Sequence, residues 1–379
     1  MLEDFLDNKP LYYDKIDYTR MPRVYETVKQ HFQSPKVIHI IGTNGKGTTG
    51  RFLASALFSL NYHVGHYSSP HILNFNERIW MNGLDIDNKS LNEAHEELLK
   101  LLHPDDADAL SYFEYTTLLA MWIYKDMDYV VLEAGLGGEH DATSVFPNIL
   151  SLITPIGIDH EAFLGNTLQE IAKTKMCAVQ KMAIISEQFE REVYEVADKV
   201  IGKQRYKKAS DIIDKNDEEK IKVITKELSL APYLQTNLKL AIATLKYLQI
   251  DYKSNNFFNA KLFGRLTPLN NNILIDVGHN VLASEAILDT LKGKKYILVY
   301  NSFKDKNYEE ILKILKPIIS HVEIIEIDDK RAEDKRKLED AFKALDIEFS
   351  MFEKIALDEK YLVFGSFSVV ESFLKVYNG

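Results

Sequence analysis

Residues 37–49 read VIHIIGTNGKGTT and join five apolar or β-prone residues to a glycine-rich turn that carries one lysine. After this turn the apolar residues follow a helical period and share one face of a helix: Phe52, Leu53, Ala56, Leu57 and Leu60. A change from a continuous apolar run to a 3.6-residue period predicts a strand, a loop and a helix in that order. The stretch therefore indicates an α/β fold in which a helix begins at a glycine-rich loop.

The glycine-rich loop has the composition of a phosphate-binding site. The first amides of a helix have no partner within the helix and its dipole is positive there, so a helix start attracts anions. Gly42, Gly45 and Gly47 allow bare backbone to approach phosphate oxygens. Lys46 adds a positive charge and Thr48 a hydroxyl group for Mg²⁺, although a second glycine before the threonine departs from the common G-x-x-x-x-G-K-[ST] form. We predict binding of a nucleoside triphosphate, with a glycine-rich turn and a chance lysine as the alternative.

The composition and charge indicate a globular protein and argue against two classes of partner. With 379 residues the chain is long enough for two or three domains. The formal net charge of -10 disfavours a broad nucleic-acid or membrane surface. The single cysteine, Cys177, excludes an intramolecular disulfide, and the acidic start MLEDFLDNKP lacks the basic segment and apolar core of a signal peptide. We expect a cytoplasmic, soluble monomer whose partners are small molecules, with no nucleic acid and no membrane.

Further along the chain, polar residues follow predicted strands. The segment Tyr129–Glu133, YVVLE, ends on a carboxylate and continues as AGLGGEHDATS. Ligands bind beyond the carboxyl ends of parallel strands, so Glu133 is the candidate ligand for Mg²⁺. The strand predicted over 148–154 leads to Asp159 and His160, a pair that by itself is more typical of a capped turn than of a catalytic device.

The second half of the chain predicts a separate α/β unit. The polar, aperiodic stretch DYKSNNFFNA at 251–260 is the predicted boundary, and it divides the chain into domains 1–256 and 257–379. Before it, residues 203–227 are charged and weakly periodic, which favours a solvated peripheral ribbon. Beyond it, apolar runs alternate with helical periods, which is typical of a parallel sheet with crossover helices. The predicted strands cover 273–277, 296–300, 322–327 and 361–364, and the predicted helices cover 281–291, 308–315, 331–345 and 367–376.

Six motifs stand in one order along the chain: IGTNGKGTT, YSSPHILNFNERI, LEAGLGGEHDATS, IDHEAFLGNTLQEIAKTK, FGR and IDVGHN. With these motifs the chain resembles folylpolyglutamate synthase and dihydrofolate synthase, which are Mur-type ligases. The resemblance covers nearly the whole length, including the tail FGSFSVVE. It implies a P-loop-containing, Mur-ligase-type nucleotide-binding domain followed by a smaller Rossmann-like α/β domain.

The resemblance also implies a reaction. An ATP-dependent carboxylate-amine ligase of folate biosynthesis and one-carbon metabolism would phosphorylate the carboxylate of a pterin substrate to an acyl phosphate. The amino group of L-glutamate would then attack this intermediate. Activation is needed because a carboxylate is a poor electrophile at neutral pH. Dihydropteroate, reduced folates or both remain open as substrates.

By resemblance, the site residues fall into four sets. The ATP contacts are Gly42, Thr43, Asn44, Gly45, Lys46, Gly47, Thr48, Thr49, Asn237, Arg265, Asp276 and His279. One or two Mg²⁺ ions would be held by Thr48, Ser69, Glu133 and His160. The catalytic set is Lys46, His160, Lys175, Arg265 and His279, and the pterin set is Ser111, Phe113, Asp141 and Ala142. Within these sets Asp276 is assigned to the ribose and Asn237 to the adenine, and the site is implied to be split between the two domains.

Two of these residues have a structural alternative. Lys175 matches the family lysine that carries a carbamate, a modification that only a neutral amine undergoes. The chain has Thr174-Lys175-Met176-Cys177 where the family has Glu-Lys-Ala-Gly, and a helix-surface lysine in a salt bridge is the alternative. Phe113 would stack on the pterin, whereas a helix phenylalanine is also typical of a core.

Other departures from the family are Gly278 and Val281, where alanine and proline are usual, Phe263 for a proline, and Tyr233-Leu234 for a histidine-glutamine pair.

Two other functions are compatible with a phosphate-binding loop. A peptidoglycan-precursor ligase of the same superfamily would use a UDP-muramoyl substrate, but those enzymes usually carry an extra N-terminal domain, and only 36 residues precede the loop stretch here. A nucleotide-dependent switch or binding module without ligase activity is the second alternative. Such a module would not require the four residues retained here: Ser69, Glu133, His160 and Arg265.

Overall fold

The structure, a computed structural model, describes residues 1–10, 17–32, 35–356 and 358–378. It divides the chain into two compact units. The first comprises Met1–Ile156, Phe163–Leu230 and Leu234–Lys261, and the second comprises Gly157–Ala162, Ala231–Tyr233 and Leu262–Gly379. The main division thus falls after Lys261, where the sequence places it after residue 256. Two short segments of the predicted first domain belong to the second unit.

The described part of the first unit contains an eight-stranded, mostly parallel sheet. Its strands are β1 (Lys36–Ile41), β2 (Val64–Tyr67), β3 (Ile79–Met81), β4 (Leu84–Asp85), β5 (Tyr129–Glu133), β6 (Leu150–Ile153), β7 (Ala183–Ile185) and β8 (Tyr206–Lys208). They lie in the order β4-β3-β2-β5-β1-β6-β7-β8, and the pairs β2–β3 and β3–β4 are antiparallel. The inner strand β1 pairs Ile40 with Glu133 of β5 and Ile41 with Ile153 of β6. The carboxyl ends of these three strands therefore meet at one edge of the sheet.

Helices of the first unit pack on both faces of this sheet. They are α1 (Leu2–Asp7), α2 (Arg20–Val28), α3 (Lys46–Ser59), α4 (Asn88–Leu101), α5 (Pro104–Ala109), α6 (Tyr112–Ile123), α8 (Leu168–Met176), α9 (Arg191–Val200), α10 (Ala209–Ile212), α11 (Lys215–Leu228) and α12 (Leu234–Tyr247), while α7 (Glu161–Leu164) begins in the second unit and ends in the first. Ile38 and Ile40 share a core cluster with α3 and α12, whereas Val37 shares one with α6. This alternation follows from the two-residue period of a strand that is covered on both faces. No helix in the described ranges is long and apolar enough to cross a membrane.

The strand, loop and helix predicted from residue 37 onward are confirmed, since β1 ends at Ile41 and α3 begins at Lys46. The solvated ribbon expected over 203–227 is wrong. These residues form β8, α10 and most of α11, and α11 buries Ile221, Ile224 and Leu228. Spacings of three and four residues place these side chains on one helix face. These three apolar residues are surrounded by charged residues along the helix, so the helical period is weak in the sequence.

The second unit has a sheet of its own, with six strands among the described residues. The strands are β9 (Thr267–Pro268), β10 (Ile273–Ile275), β11 (Tyr296–Tyr300), β12 (Ile319–Ile324), β13 (Phe349–Met351) and β14 (Tyr361–Phe364), and the helices are α13 (Val281–Leu291), α14 (Tyr308–Leu315), α15 (Lys335–Ala344) and α16 (Phe367–Asn378). The strand order is β13-β12-β11-β14-β10-β9, with β9 antiparallel. The predicted second parallel α/β unit is confirmed. The helix predicted from residue 331 begins at Lys335, because the carboxylate of Asp334 caps it by accepting from the amide of Arg336.

Candidate active site

The loop between β1 and α3 is held by the end of β6. Gly42 and Gly45 have φ angles of 151° and 85°, in the region that residues other than glycine avoid. The amides of Thr43 and Asn44 both donate to the carbonyl oxygen of Pro155, at 3.0 and 3.2 Å. These bonds fix the loop at the start of α3, where the helix dipole and unpaired amides favour an anion.

A lysine and a carboxylate lie together beside this loop. Lys46 Nζ is 3.9 Å from Glu133 Oε1 and donates to the carbonyl oxygens of Gly42 and Thr43, at 3.3 and 3.2 Å. Glu133 is 5% exposed, and its Oε2 accepts from the amide of Ser69 at 3.3 Å. The structure thus brings together three residues that the sequence assigned to phosphate and metal binding.

The oxygen atoms near the loop fit a magnesium ion that arrives with a nucleotide. Thr48 lies in the first turn of α3, and its Oγ1 is buried with no hydrogen-bond partner among the described residues. A buried hydroxyl group without a partner is unfavourable unless a bound ligand interacts with it. No group of three or more His, Cys, Asp or Glu side chains that could hold a metal occurs in the described part of the chain. At a phosphate, Mg²⁺ is usually held by one or two carboxylates together with phosphate oxygens and waters, so Glu133 with the hydroxyl-bearing Thr48 and Ser69 suits it.

Lys175 reaches the same loop from α8. It is 4% exposed, and its Nζ donates to the carbonyl oxygen of Gly42 at 2.9 Å. The alternative of a helix-surface lysine is therefore wrong. A Cβ atom on Gly138 would lie 2.6 Å from the Lys175 carbonyl oxygen, and the amide of Glu139 donates to the Thr174 carbonyl at 3.1 Å. The glycine-rich loop after β5 packs directly on α8 and holds this lysine at the phosphate loop.

Asn237 of α12 contacts the phosphate loop. Its side-chain amide donates to the carbonyl oxygen of Gly45 and to Thr49 Oγ1, both at 3.2 Å. A Cβ atom on Gly45 would lie only 2.0 Å from Asn237 Nδ2, so this contact depends on the glycine. The side chain is buried and stabilises the loop. Its expected contact with adenine stays a prediction.

Phe113 lies near the start of α6, against the glycine-rich loop that follows β5. A Cβ atom on Gly135 would lie 2.5 Å from its ring, and the rings of Phe113 and Tyr67 are 6.0 Å apart. The side chain is half-buried and packs at the margin of a core cluster. These contacts place the ring beside the loop after β5, and the pterin role stays a prediction.

The polar members of the pterin set cap helices. Ser111 Oγ accepts from the amide of Glu114 at 3.1 Å and so caps α6. Asp141 accepts from the amides of Leu136 and Thr143, at 2.7 and 3.0 Å. Burial raises the pKa of Asp141 above its ordinary value, although these hydrogen bonds oppose the rise. The structure assigns both side chains a local structural role, and Ala142, which follows Asp141, is buried.

In the second unit, Asp276 has partners other than the expected ribose. Its Oδ2 accepts from the hydroxyl of Tyr233 at 2.6 Å and from the amide of Leu266 at 2.8 Å, and its Oδ1 accepts from the amide of Gly278 at 2.8 Å. Burial raises the pKa of Asp276. The neighbouring Arg265 donates to the carbonyl of Gly264, and its guanidinium lies 5.4 Å from the Phe367 ring centroid. Asp276 thus joins three backbone segments, and its ribose contact stays a prediction.

A second cluster of the same unit surrounds Asp159. Its Oδ1 accepts from the amide of His160 at 2.9 Å and from Lys306 Nζ at 2.5 Å. Its Oδ2 accepts from Asn280 Nδ2 at 3.0 Å and lies 3.7 Å from His279 Nε2. Burial disfavours the carboxylate, but His279, His160 and Lys306 outweigh that cost and lower the pKa of Asp159.

Two residues of this cluster, Lys306 and Asn280, are not among the site residues predicted from the sequence. Lys306 lies in the loop beyond the carboxyl end of β11, a position that the rule for ligands of parallel sheets could have marked. Asn280 ends the motif IDVGHN and caps α13. The glycine at position 278, where the family has alanine, has a physical reason, because a Cβ atom there would lie 2.6 Å from the Phe364 ring.

Comparison with known proteins gives several relatives named as folylpolyglutamate synthases, although no family model matches the chain. A dihydrofolate synthase/folylpolyglutamate synthase from Buchnera aphidicola subsp. Schizaphis graminum is 31% identical, over 88% of this chain and 86% of the relative. The crystal structure of Helicobacter pylori folylpolyglutamate synthetase has 38% identity and a TM-score of 0.80, over 100% of this chain and 98% of that chain. A bifunctional folylpolyglutamate synthase/dihydrofolate synthase from Yersinia pestis, complexed with AMPPNP and Mn ion, has 22% identity and a TM-score of 0.83, over 100% and 97%. At that identity the last similarity shows the fold alone.

Proposed function

The chain belongs to the dihydrofolate synthase/folylpolyglutamate synthase family, and on that premise we propose that it joins L-glutamate to dihydropteroate, to a reduced folate or to both. It is an ATP-dependent carboxylate-amine ligase with a P-loop-containing, Mur-ligase-type domain and a second, Rossmann-like α/β domain. Acceptance of both pterin substrates is supported by the double name of the relatives.

One observation carries the proposal: Lys46, Ser69 and Glu133 meet beside a helix start that carries the orphan hydroxyl of Thr48. Phosphoryl transfer requires positioning and charge neutralisation more than covalent help from the protein. Lys46 supplies the positive charge, and the loop supplies backbone amides for the phosphates. A bound Mg²⁺ would neutralise further phosphate charge. Thr48, Ser69 and Glu133 would hold it.

The reaction then needs two displacements. A carboxylate oxygen of the pterin substrate attacks the γ-phosphorus of ATP, which forms an acyl phosphate and releases ADP. The amine of L-glutamate attacks the acyl carbon, releases inorganic phosphate and loses a proton. Lys46 stabilises the charge of the transferring phosphoryl group in the first step. The roles of His160, Arg265, Asp276 and His279 in binding metal, phosphates and ribose are proposed from the family resemblance.

Lys175 is proposed to carry a carbamate. Its buried Nζ at the Gly42 carbonyl supports a role at the phosphate loop rather than at the surface. Mass spectrometry of the intact protein with and without bicarbonate should show an added CO₂ that is lost in Lys175→Arg. An unchanged mass under both conditions would leave Lys175 as a cation that donates to the loop.

The pterin is proposed to bind near Ser111, Phe113, Asp141 and Ala142. Contact between Phe113 and Gly135 supports a stacking surface beside the glycine-rich loop. Because the ligase needs ATP and folates, we also propose that it acts in the cytoplasm. We further propose that it is a monomer. Light scattering of the purified chain would test the monomer.

Phosphate release tests the function directly. With ATP, Mg²⁺ and L-glutamate, we expect release with dihydropteroate or a reduced folate and none with a UDP-muramoyl substrate. Lys46→Ala and Glu133→Ala should each lose roughly a thousandfold or more of the turnover, with the melting temperature retained. Release with the UDP-muramoyl substrate alone would indicate a peptidoglycan-precursor ligase, and no release with any of them would indicate a nucleotide-binding module.

A further inference from the structure

Asp159 is a buried carboxylate that holds both site histidines of the second unit. The amide of His160 donates to Asp159 Oδ1 at 2.9 Å, and His160 adopts a φ of 55°, which residues other than glycine rarely do. His279 Nδ1 is 3.1 Å from the carbonyl oxygen of Val277, which can only accept. The ring therefore donates from Nδ1, and its Nε2 faces Asp159 Oδ2 at 3.7 Å.

The same carboxylate is linked to the start of α13. Asn280 Nδ2 donates to Asp159 Oδ2 at 3.0 Å, while Asn280 Oδ1 accepts from the amide of Ala283. One side chain thus connects the motif that contains His160 with the motif that contains His279. A change in the direction of this carboxylate would alter its contacts with both histidines.

Lys306 is a buried cation in direct contact with Asp159. The lysine side chain is 6% exposed, and its Nζ contacts Asp159 Oδ1 at 2.5 Å and Asp305 Oδ2 at 3.5 Å. Asp305 is nearly half exposed, so Asp159 is the buried partner. A buried charge is costly unless it is paired, so without Lys306 the carboxylate of Asp159 would turn towards other partners.

We propose that Asp159 and Lys306 are positioning residues of the ligase, which orient His160 and His279 without touching the substrates. The proposal rests on the function proposed above for those two histidines. It assigns a role to a lysine that lies outside the motifs of the sequence, in the loop after β11. Removal of a residue that orients a metal ligand or catalytic side chain commonly lowers metal affinity or activity by roughly ten- to a hundredfold.

A paired substitution separates positioning from simple stabilisation. Lys306→Met leaves the buried carboxylate of Asp159 without its lysine, and Asp159→Asn leaves the buried Lys306 with the half-exposed Asp305 at 3.5 Å, so both should lower the melting temperature. The double variant Lys306→Met/Asp159→Asn has neither charge, so it should recover most of the melting temperature. If the pair positions the histidines, the double variant should still lose roughly ten- to a hundredfold of kcat, with a smaller change in the KM for ATP.

Two further variants sharpen this comparison. Lys306→Arg keeps the cation and should recover part of the activity that Lys306→Met loses. Lys304→Met removes an exposed lysine of the same loop, whose Nζ donates to the Lys330 carbonyl, and it should behave like the unsubstituted protein. A fall of kcat in Lys304→Met equal to that in Lys306→Met would overturn the proposal.

A binding measurement gives a readout that does not depend on turnover. Titration calorimetry with AMPPNP, with and without Mn²⁺, measures how much the metal strengthens nucleotide binding. The double variant should lose roughly tenfold of that metal-dependent gain and keep the metal-free affinity. Full kcat and a full metal-dependent gain in the folded double variant would show that the pair only stabilises the unit. If the unsubstituted protein releases no phosphate, the proposed function fails, while the calorimetric comparison still tests the positioning role.

Discussion

At the residue scale, Thr48 carries a buried hydroxyl group that the described residues leave without a hydrogen-bond partner. We expect Thr48→Val to keep the melting temperature of the nucleotide-free protein or to raise it, since no hydrogen bond is lost and an orphan group is removed. The gain would be at most about 1–3 kcal/mol of unfolding free energy. The same variant should bind AMPPNP with Mn²⁺ more weakly than Thr48→Ser, which keeps the hydroxyl. A clear loss of stability in nucleotide-free Thr48→Val would mean that the hydroxyl has a structural partner.

His39, on β1, makes the stability of the first unit depend on pH. It is 1% exposed, and burial lowers the pKa of His39 from 6.5 to about 4. Between these values the unfolded chain takes up a proton that the folded protein does not. The contribution of neutral His39 to the unfolding free energy is therefore complete above about pH 6.5. It is lost as the pH falls to about 4, by about 3 kcal/mol in total.

The pH dependence can be tested with one substitution and one control. Urea unfolding of His39→Gln, compared at about pH 7 and about pH 4.5, should show a smaller loss of stability than the unsubstituted protein. His103→Gln changes an exposed histidine at the start of α5 and should keep the original loss. An equal loss in all three proteins would exclude His39 as the cause.

At the element scale, the junction of β1 and α3 depends on a glycine. Gly45 has a φ of 85°, and a Cβ atom there would lie 2.0 Å from Asn237 Nδ2 of α12. Gly293 has a φ of 81°, but nothing lies within 4 Å of its Cβ position. We expect Gly293→Ala to cost about 1 kcal/mol, from the backbone conformation alone. Gly45→Ala should cost more and should abolish ATP binding, because α12 and the loop must separate.

Thermal unfolding and nucleotide titration of the two glycine variants test this junction. Equal decreases of the melting temperature in Gly45→Ala and Gly293→Ala would mean that the Asn237 side chain moves away from the new Cβ atom without loss of stability. Retained nucleotide affinity in Gly45→Ala would mean that the loop does not bind phosphate.

At the scale of the whole molecule, each unit has its own sheet and its own core. Leu57 belongs to a core cluster of the first unit and Leu298 to that of the second, and both are fully buried. Separate cores predict two transitions in calorimetric unfolding. Leu57→Ala and Leu298→Ala should each cost about 2–5 kcal/mol and shift a different transition. A single transition that shifts in both variants would show that the units unfold together.

The sequence by itself determined the local part of this protein. The strand, loop and helix around Lys46, the carboxylate of Glu133 at a strand end and the second α/β unit follow from period and composition, which act over neighbouring residues. A narrow apolar stripe in a charged segment is too weak a pattern to predict α11, whose packing buries Ile221, Ile224 and Leu228.

Only the tertiary structure decided which distant residues support the site. Lys175 is 133 positions from Gly42, Asn237 is 192 positions from Gly45, and Lys306 is 147 positions from Asp159. No local pattern encodes such pairs, because each depends on how strands order in a sheet and on which loops meet at its carboxyl edge. Burial then decides their chemistry: an exposed lysine is a solvated charge, whereas the buried ammonium of Lys306 must have the carboxylate of Asp159 beside it.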